Sequence, residues 1–469
     1  MKRFCVTALL AVFLGAASLQ AQSFSHHVSL SGLGNGNSAK AFGLAADETN
    51  HRLYVAVCGD FSGSNNVIAE IDTLTDSVVR TITVGNYPED IALLAGPNSS
   101  GLSTGAVTNS SDGTVSVWDL ASGNPIAVVQ LPDPFMMGSC YPFGIAAGGP
   151  GLMITTVDGS GDVHAIDTTT WTHDPAASFN LGWKSLGRPL ASGNEIIVPT
   201  TAFTPSWTGA EAGISAFANG AALVSWSHKL AVNDGNNIFP SGNDVVELAD
   251  GTLLMSGMDL DGRLYQLSAN GEILRTMRLQ NGAGAHGIAL SADGSLLVAC
   301  DLAYGWVTFI DLLNWVELAA FQTASTGLGY MMPNDAAFCD GKVYVTCQGS
   351  EEVMVFDNLP TLVPGGAYQG LITVDDSTPN VGDTLTVQVS GTGVVALFVS
   401  FEDSAGTYSG IDLQLGSAPR LVGWSGNGSY SRTWTIPANA PSGFNLFTQG
   451  IVDIKGTPAP TAPRCAVIQ

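Results

Sequence analysis

The chain has 469 residues, of which 40 are acidic and 16 basic, so its formal net charge is −24 at pH 7. Nucleic-acid affinity comes from Lys and Arg side chains that displace counterions, and this acidic chain would be repelled by a phosphate backbone. Only 12% of the residues are charged, 45% are apolar, and 56 are glycine. We therefore expect no nucleic-acid partner, and a turn-rich all-β protein rather than a disordered acidic tail.

The N-terminus has the pattern of a secretory signal peptide. Lys2 and Arg3 precede an apolar run from Phe4 to Ala17, and small residues continue to Ala21. The pattern predicts a signal peptide over 1–21 and a protein that is secreted, periplasmic or at the cell surface. The apolar run is too short to cross a bilayer, and no later run approaches the roughly 18 apolar residues that a membrane helix needs. No transmembrane segment is therefore expected.

Six cysteines follow the signal peptide, and none of them forms a C-x-x-C pair. An exported protein can form disulfides, so two alternatives stay open, namely buried free thiols or one disulfide. A hairpin turning at Asp340-Gly341 would place Cys347 opposite Asn334. A bridge between Cys339 and Cys347 is therefore not expected.

A unit of short apolar runs separated by turn residues recurs along the chain. The last copy, 333–357, has three runs bounded by Asp340-Gly341 and by Gln348-Gly349-Ser350, as hairpins require. Each copy ends its third run with an apolar residue followed by a polar or small one. These seven ends lie 43 to 51 residues apart, at Ile71-Asp72, Trp118-Asp119, Ile166-Asp167, Phe217-Ala218, Leu267-Ser268, Ile310-Asp311 and Phe356-Asp357. The period predicts a β-propeller of seven four-stranded blades over 22–362.

The last blade lacks a fourth strand of its own. Asn358-Leu359-Pro360 follows its third run, and proline cannot continue a central strand. The stretch His26-His27-Val28-Ser29-Leu30-Ser31 lies before the first blade, where every other blade is preceded by a fourth strand. We predict that Val28–Ser31 pairs with Val353–Phe356 and closes the ring, because closure removes two exposed sheet edges.

The repeats resemble a known family of bacterial propellers. The first blade contains Tyr54-Val55, then Ile71-Asp72-Thr73, then Val79-Arg80-Thr81-Ile82-Thr83-Val84-Gly85 and Pro88, and the second contains Ala106-Val107-Thr108-Asn109. This combination is similar to the YVTN family of seven-bladed propellers, although the fourth and fifth units lack the Asp after the third strand. The resemblance implies an extracytoplasmic propeller, often binding or structural. A related lactonase-like group shares the architecture.

A different pattern follows a linker at 363–370. About seven strands with Gly and Pro turns occupy 371–469, which predicts an immunoglobulin-like β-sandwich without the Cys, Trp and Cys spacing of antibody domains. We expect this domain to act as a spacer or adhesion module, with direct carbohydrate binding as the alternative.

The start of each inner strand of a propeller points into the central channel, so a binding site is sought there. Aligning the repeats brings acids, amides, one histidine, one arginine and two phenylalanines to these positions. The candidate ligand-binding residues are Phe42, Glu89, Asp90, Phe143, Arg188, Asn243, Asp244, His286, Asn334 and Asp335.

Several functions are compatible with this ring. It could hold a polar ligand, or a cation on its carboxylates. The plainer interpretation is that the side chains bind the backbone ends of their strands. An enzyme would use His286 or Glu89 as a general base and Arg188 to polarise a carbonyl, as lactone hydrolysis requires.

No motif in the sequence assigns a catalytic residue, a metal or a cofactor. Gly101-Leu102-Ser103-Thr104-Gly105 matches a nucleophile elbow in letters, but the segment is predicted as a hairpin without the following helix that the elbow needs. The histidines show no zinc spacing. The sequence therefore favours an exported, non-enzymatic propeller that binds a small molecule, glycan or protein or serves as a scaffold, with a lactonase-like hydrolase as the alternative.

Overall fold

The structure is a computed structural model of the chain. It describes residues 25–467 outside the gaps at 61–62, 96–100, 133–139, 149–151, 158–159, 183, 204–209, 219–223, 234–240, 259–262, 280–284, 314, 324–330, 358, 361–369, 375–383, 392–394, 401–405, 409–410, 414–419, 426–428, 437–444, 455–456 and 461–463. The predicted signal peptide and nearly all of the predicted linker lie outside the described residues. In the described part, no helix is long and apolar enough to cross a membrane.

The chain divides into two compact units. One comprises Gln22–Ile310 and Glu317–Pro360, and the other contains Thr361–Gln469 and Asp311–Val316. The first unit begins with strand β1 (His26–Ser29). Three antiparallel sheets of four consecutive strands follow, which we call blades 1, 2 and 3: β2 (Ala41–Asp47), β3 (Arg52–Asp60), β4 (Gly63–Asp72), β5 (Ser77–Thr83); β6 (Pro88–Ala95), β7 (Leu102–Asn109), β8 (Thr114–Asp119), β9 (Pro125–Gln130); β10 (Pro142–Ala147), β11 (Leu152–Val157), β12 (Asp162–Asp167), β13 (Thr172–Asn180).

A five-stranded sheet comes next, followed by three further four-stranded sheets. The five-stranded sheet contains β14 (Ser185–Leu186), β15 (Leu190–Ser192), β16 (Glu195–Phe203), β17 (Ala210–Ala218) and β18 (Val224–Asn233). Blade 4 contains β19 (Ser241–Glu247), β20 (Leu253–Met258), β21 (Arg263–Leu267) and β22 (Ile273–Arg278). Blade 5 contains β23 (Ile288–Leu290), β24 (Leu296–Asp301), β25 (Trp306–Asp311) and β26 (Val316–Gln322). Blade 6 contains β27 (Pro333–Cys339), β28 (Lys342–Cys347), β29 (Glu352–Phe356) and β1.

The architecture is an all-β propeller with six regular blades, so the prediction of seven four-stranded blades is corrected. The departure lies at the inner strand of the five-stranded sheet. There β14 and β15 each pair with β16, and they are separated by Gly187-Arg188-Pro189. Proline has no N–H for a ladder, and the N–H of Arg188 donates to Asn243 O of blade 4 at 2.7 Å. One inner strand is therefore divided into two short ones.

The predicted closure of the last blade by the N-terminal strand is confirmed, but the strand is His26–Ser29 rather than Val28–Ser31. Strand β1 pairs antiparallel with β29, with Val28 opposite Val353 and Ser29 opposite Glu352. Val28 and Leu30 are buried against Tyr344 and Val353 in a cluster that also includes blade 1. The N-terminal strand therefore supplies the fourth strand of blade 6.

The core consists of apolar layers between neighbouring sheets. Strands such as β3 and β24 are buried on both faces, which explains why their sequences alternate weakly. Val163 and Ala165 of blade 3 pack against Ile196 and Val198 of the five-stranded sheet. That sheet in turn packs through Ile214 against blade 4.

The C-terminal unit contains two larger sheets and a hairpin. Its strands are β30 (Gly370–Val374), β31 (Thr384–Gly391), β32 (Val395–Ser400), β33 (Gly406–Tyr408), β34 (Ile411–Leu413), β35 (Arg420–Ser425), β36 (Ser429–Thr435), β37 (Asn445–Ile454), β38 (Thr457–Pro460) and β39 (Arg464–Val467). The sheets are β30-β31-β36 and β35-β32-β37-β38, with β39 also on β37, and β33 pairs with β34. The sequence predicts about seven strands here, and the described residues form ten; β33, β35 and β38 were not predicted. The apolar run of β35 is interrupted by Gly423, a residue type that is rare inside strands.

Candidate functional site

The inner strands approach one another closely where they begin. A Cβ atom on Gly43 would lie 2.3 Å from Glu89 O, and one on Gly287 would lie 2.5 Å from Asn334 O. Real side chains do not tolerate such distances, so glycine is needed where the backbones of successive blades meet. The predicted ring positions therefore surround a narrow, closely packed axis.

One arginine lies among three aspartates at this axis. Arg188 Nη1 lies 2.8 Å from Asp335 Oδ1 and 3.6 Å from Asp244 Oδ2, and its Nε lies 3.6 Å from Asp90 Oδ1. All four residues are 6–7% exposed. We call Arg188, Asp90, Asp244 and Asp335 the axial cluster. Arg188 lies between β14 and β15, and the aspartates come from blades 2, 4 and 6, so one guanidinium joins segments of four separate sheets.

Each aspartate also joins its own blade to the next one. Asp90 accepts from Ile91 N at 3.1 Å through Oδ1 and from Ile145 N of blade 3 at 2.9 Å through Oδ2. Thr108 of blade 2 completes the connection, since its hydroxyl accepts from Asp90 N and donates to Phe143 O at 2.6 Å. We call this arrangement of an aspartate and a hydroxyl holding the next inner strand an interblade clamp.

The same interblade clamp occurs at two further seams. From blade 4 to blade 5, Asp244 accepts from Val245 N at 2.8 Å and from Ile288 N at 3.0 Å, and Ser256 donates to His286 O at 2.9 Å. From blade 6 to blade 1, Asp335 accepts from Ala336 N at 2.9 Å and from Leu44 N at 3.2 Å, and Thr346 donates to Phe42 O. The aspartates therefore satisfy strand-end N–H groups, which is the structural role that the plainer interpretation of the ring gave them.

Three aromatic rings meet at the residues that the clamps hold. The centroids of Phe42 and Phe143 are 5.8 Å apart, those of Phe42 and His286 6.0 Å, and those of Phe143 and His286 6.3 Å. All three pairs are edge-to-face, a favoured geometry for aromatic rings. His286 Nδ1 donates to Asn334 O at 3.2 Å, because a carbonyl oxygen can only accept. The histidine thus takes the place that phenylalanine has in the other two clamps.

The charges of the axial cluster perturb one another strongly. Burial raises the pKa of Asp90 to about 6 and that of Asp244 to about 7, despite the opposing charge of Arg188. Burial also raises the pKa of Asp335. For Arg188, burial opposes the charged form, but the three aspartates outweigh it and raise its pKa. Burial, helped by the charge of Arg188, lowers the pKa of His286 to about 3, so its imidazole is neutral at pH 7.

The remaining predicted residues lie around this cluster rather than in one reaction site. Asn334 Nδ2 donates to Phe42 O at 3.0 Å, and Asn243 Nδ2 lies 3.4 Å from Ala285 O. Glu89 is buried, and its charge helps to raise the pKa of Cys58 and Tyr87. The three aspartates pair with Arg188, and the charge of Arg188 also helps to lower the pKa of His286, the other base of the lactonase interpretation.

Sequence analysis identified the aspartates but missed the hydroxyls that act with them. Thr108, Ser256 and Thr346 lie on the second strands of their blades, and each donates to the inner strand of the next blade. The sequence did contain one signal for the clamps. Asp90, Asp244 and Asp335 occupy the same position of their repeats, and the next repeat around the ring has Phe-Gly or His-Gly at the aligned positions. The central role of Arg188 had no such signal, because only one repeat carries an arginine there.

Other predicted chemistry can be placed in the described part of the chain. Cys58, Cys300, Cys339 and Cys347 are buried free thiols, and Cys140 is buried. Cys347 pairs with Pro333 in the β27–β28 ladder, one residue from the predicted Asn334. Among the described residues, no group of three or more His, Cys, Asp or Glu side chains is placed to hold a metal ion.

Comparison with known proteins supports the fold. No protein-family profile and no curated protein matches the sequence. The chain is similar in structure to Kuenenia stuttgartiensis hydrazine synthase, with a TM-score of 0.54 and 15% identity over 70% of this chain and 98% of that one. It is also similar to the Cps50 (Swd1) β-propeller domain of Myceliophteria thermophila, with a TM-score of 0.53 and 11% identity over 72% of this chain and 100% of that domain. A third similar structure is Chaetomium thermophilum Raptor, with a TM-score of 0.53 and 12% identity over 74% of this chain and 30% of that one. At these identities the likeness shows a β-propeller fold and nothing about chemistry.

Proposed function

We propose that the protein is an exported, non-enzymatic propeller that binds a ligand or partner protein or serves as a scaffold, and that its axis is a structural closure. The observation that carries this proposal is the occupation of the axis by Arg188 and three buried aspartates. Their oxygen atoms already accept backbone N–H groups from neighbouring blades. A ligand or substrate that bound the aspartates would have to displace these contacts, so binding is assigned to the faces and rim of the propeller.

We assign the five-stranded sheet as a seventh blade. It packs between blades 3 and 4 through apolar layers like those between the other sheets, and Arg188 connects it to the axis. A crystal structure that shows seven sheets around the axis supports this assignment, and six sheets with β14–β18 outside the ring would refute it.

Assignment to the YVTN family depends on the sequence motifs of blades 1 and 2. The C-terminal unit is proposed to be an immunoglobulin-like spacer or adhesion domain.

Export is tested directly by expressing the full chain in a bacterial host that secretes proteins. The proposal predicts a processed protein that begins at Gln22, outside the cytoplasm, as measured by mass spectrometry of each cell fraction. An unprocessed chain in the cytoplasm would contradict export. The measurement is independent of any ligand or activity.

The non-enzymatic assignment is tested by screening the purified protein against lactones and glycans, with hydrolysis followed by proton release and binding by thermal shift. The matched variant is His286→Phe, because Phe42 and Phe143 hold the same place in the other clamps. We expect no lactone hydrolysis by either protein, and the same melting shifts with any glycan that binds. Hydrolysis by the wild type that His286→Phe abolishes would replace the proposal with the lactonase alternative.

A further inference from the structure

Two histidines lie in contact in blade 3, away from the axis. His164 Nδ1 of β12 lies 3.2 Å from His173 Nε2 of β13, with ring centroids 5.1 Å apart. His173 lies beside Ile166, which is opposite it in the ladder, and His164 lies two residues from Ile166 along the strand. Side chains two residues apart in a strand, or directly opposite across a ladder, share a face. Since Ile166 packs against blade 2, both imidazoles face the seam between blades 2 and 3.

The hydrogen bonds of Ser178 fix which nitrogen carries each proton. The Ser178 hydroxyl lies 2.6 Å from Asp174 O, which can only accept, so the hydroxyl proton points there. Ser178 Oγ then accepts from Ala165 N at 3.0 Å and from His173 Nε2 at 3.0 Å. His173 therefore carries a proton on Nε2, and that proton also faces His164 Nδ1.

It follows that His164 must accept through Nδ1 and carry its own proton on Nε2. This Nε2 atom is buried, and it has no hydrogen-bond partner among the described residues. A proton added to His164 would place two N–H groups against each other in the contact with His173. A proton added to His173 would go to its Nδ1 and leave the contact intact, with a charged donor.

We propose that this pair makes the outer seam between blades 2 and 3 an acid-labile contact, which accepts one proton on His173 and opens when His164 takes a second. The charged groups near the pair are Asp162, toward His164, and Asp174, toward His173. Blade 2 presents the uncharged strand β9 on this side. Burial, with the charge of His173, lowers the pKa of His164 to about 4, and burial lowers that of His173.

The direction of the pH effect follows from those shifts. A histidine whose pKa is lowered on folding resists protonation in the folded state. Its contribution to stability is complete above its unfolded pKa near 6.5 and is lost as the pH falls toward about 4. Protonation of the pair should therefore destabilise blade 3 as the pH falls from about 6 to about 4, a window that overlaps the range in which histidine switches operate.

The test measures acid unfolding of the full chain by circular dichroism, and hydrogen exchange of peptides covering residues 162–180. We expect His164→Leu to shift the acid midpoint downward by about 0.5 pH unit or more. The variant removes a group that takes up a proton more readily in the unfolded state than in the folded state. His173→Gln keeps an N–H donor toward Ser178 while removing the titration, and it should flatten the same pH dependence. The matched control is His228→Gln, which removes a histidine whose ring lies 5.7 Å from that of Trp226 in the five-stranded sheet.

Wild-type peptides from 162–180 should lose protection at higher pH than peptides from blade 5, after correction for intrinsic exchange. Imidazole ¹⁵N shifts should show His164 protonated at Nε2 at pH 7. An acid midpoint unchanged by both His173→Gln and His164→Leu would overturn the proposal. A His164 proton on Nδ1 would overturn it as well. If His164→Leu fails to fold, the His173→Gln profile and the ¹⁵N shifts still decide the question.

Discussion

The axis and the outer edge of blade 6 close the same ring by different physical means. At the outer edge, β1 pairs with β29 and buries Val28 and Leu30, so closure depends on backbone hydrogen bonds and apolar area. At the axis, closure depends on one guanidinium and three carboxylates, whose burial is costly unless all partners are present. The edge should therefore contribute stability directly. The axis should contribute mainly by fixing which strand ends meet.

The largest expected effect is loss of the outer closure. Replacing residues 26–31 by a Gly and Ser sequence of the same length removes two fully buried apolar side chains, each worth about 1.5–3 kcal/mol, together with the strand pairing. We expect the free energy of unfolding to fall by about 5 kcal/mol, measured by urea unfolding. A synthetic peptide covering residues 24–34 should restore part of the lost stability. An unchanged unfolding midpoint would contradict closure by β1.

The next largest effect should come from the axis. Arg188→Met keeps much of the side-chain length but leaves three buried carboxylates without their cation, which typically costs about 3–5 kcal/mol. The matched control is Arg52→Met, because Arg52 pairs with Glu70 and Asp72 but is 30% exposed. Urea unfolding should show a clearly smaller loss for Arg52→Met. Equal losses would mean that Arg188 has no special role.

A third effect concerns the interblade clamps. Thr108→Val and Thr346→Val conserve side-chain volume but remove the hydroxyls that donate to Phe143 O and Phe42 O. Thr108→Val leaves the buried Phe143 O without this donor, which should cost about 1–3 kcal/mol. Thr346→Val should cost less, because Phe42 O still accepts from Asn334 Nδ2. Thr386→Val is the control, because its hydroxyl contacts Thr433 on an exposed surface of the C-terminal unit. Thermal unfolding of the variants distinguishes these cases, and clamp variants as stable as the control would argue against the clamps.

The smallest effect should be a pH dependence opposite in sign to that of the histidine pair. Asp244 has a raised pKa of about 7 in the folded protein, so its contribution is present at low pH and is lost as pH rises through that value. Asp244→Asn should therefore cost less stability at pH 8 than at pH 5, by about 1 kcal/mol or more. Urea unfolding at the two pH values measures the difference. A greater loss at pH 8 would show that Asp244 is stabilised as an anion.

The outer closure and the ring positions at the axis could be predicted from the sequence, whereas the pairing of Arg188 with three aspartates could not. The missing fourth run after Phe356 and the spare strand at 26–31 are local patterns, and pairing them required only that edges be covered. The axial cluster depends on where four distant segments converge, and Arg188 occurs in one repeat only. The same residue explains the error in the blade pattern. The repeat alignment predicts that Arg188-Pro189 begins an inner strand, but the N–H of Arg188 donates to Asn243 O of blade 4, and the pairing with β16 is divided into two short strands.

The central claim is that Arg188 and the aspartates form one energetic unit closing the axis. A double-mutant cycle between Arg188→Met and Asp335→Asn, measured by urea unfolding at pH 7, tests it most directly, because Arg188 Nη1 and Asp335 Oδ1 are 2.8 Å apart. The account predicts that the double variant loses less stability than the sum of the single losses, by about 1.5 kcal/mol or more. Additive losses would contradict the account and reopen the axis as a site for a ligand.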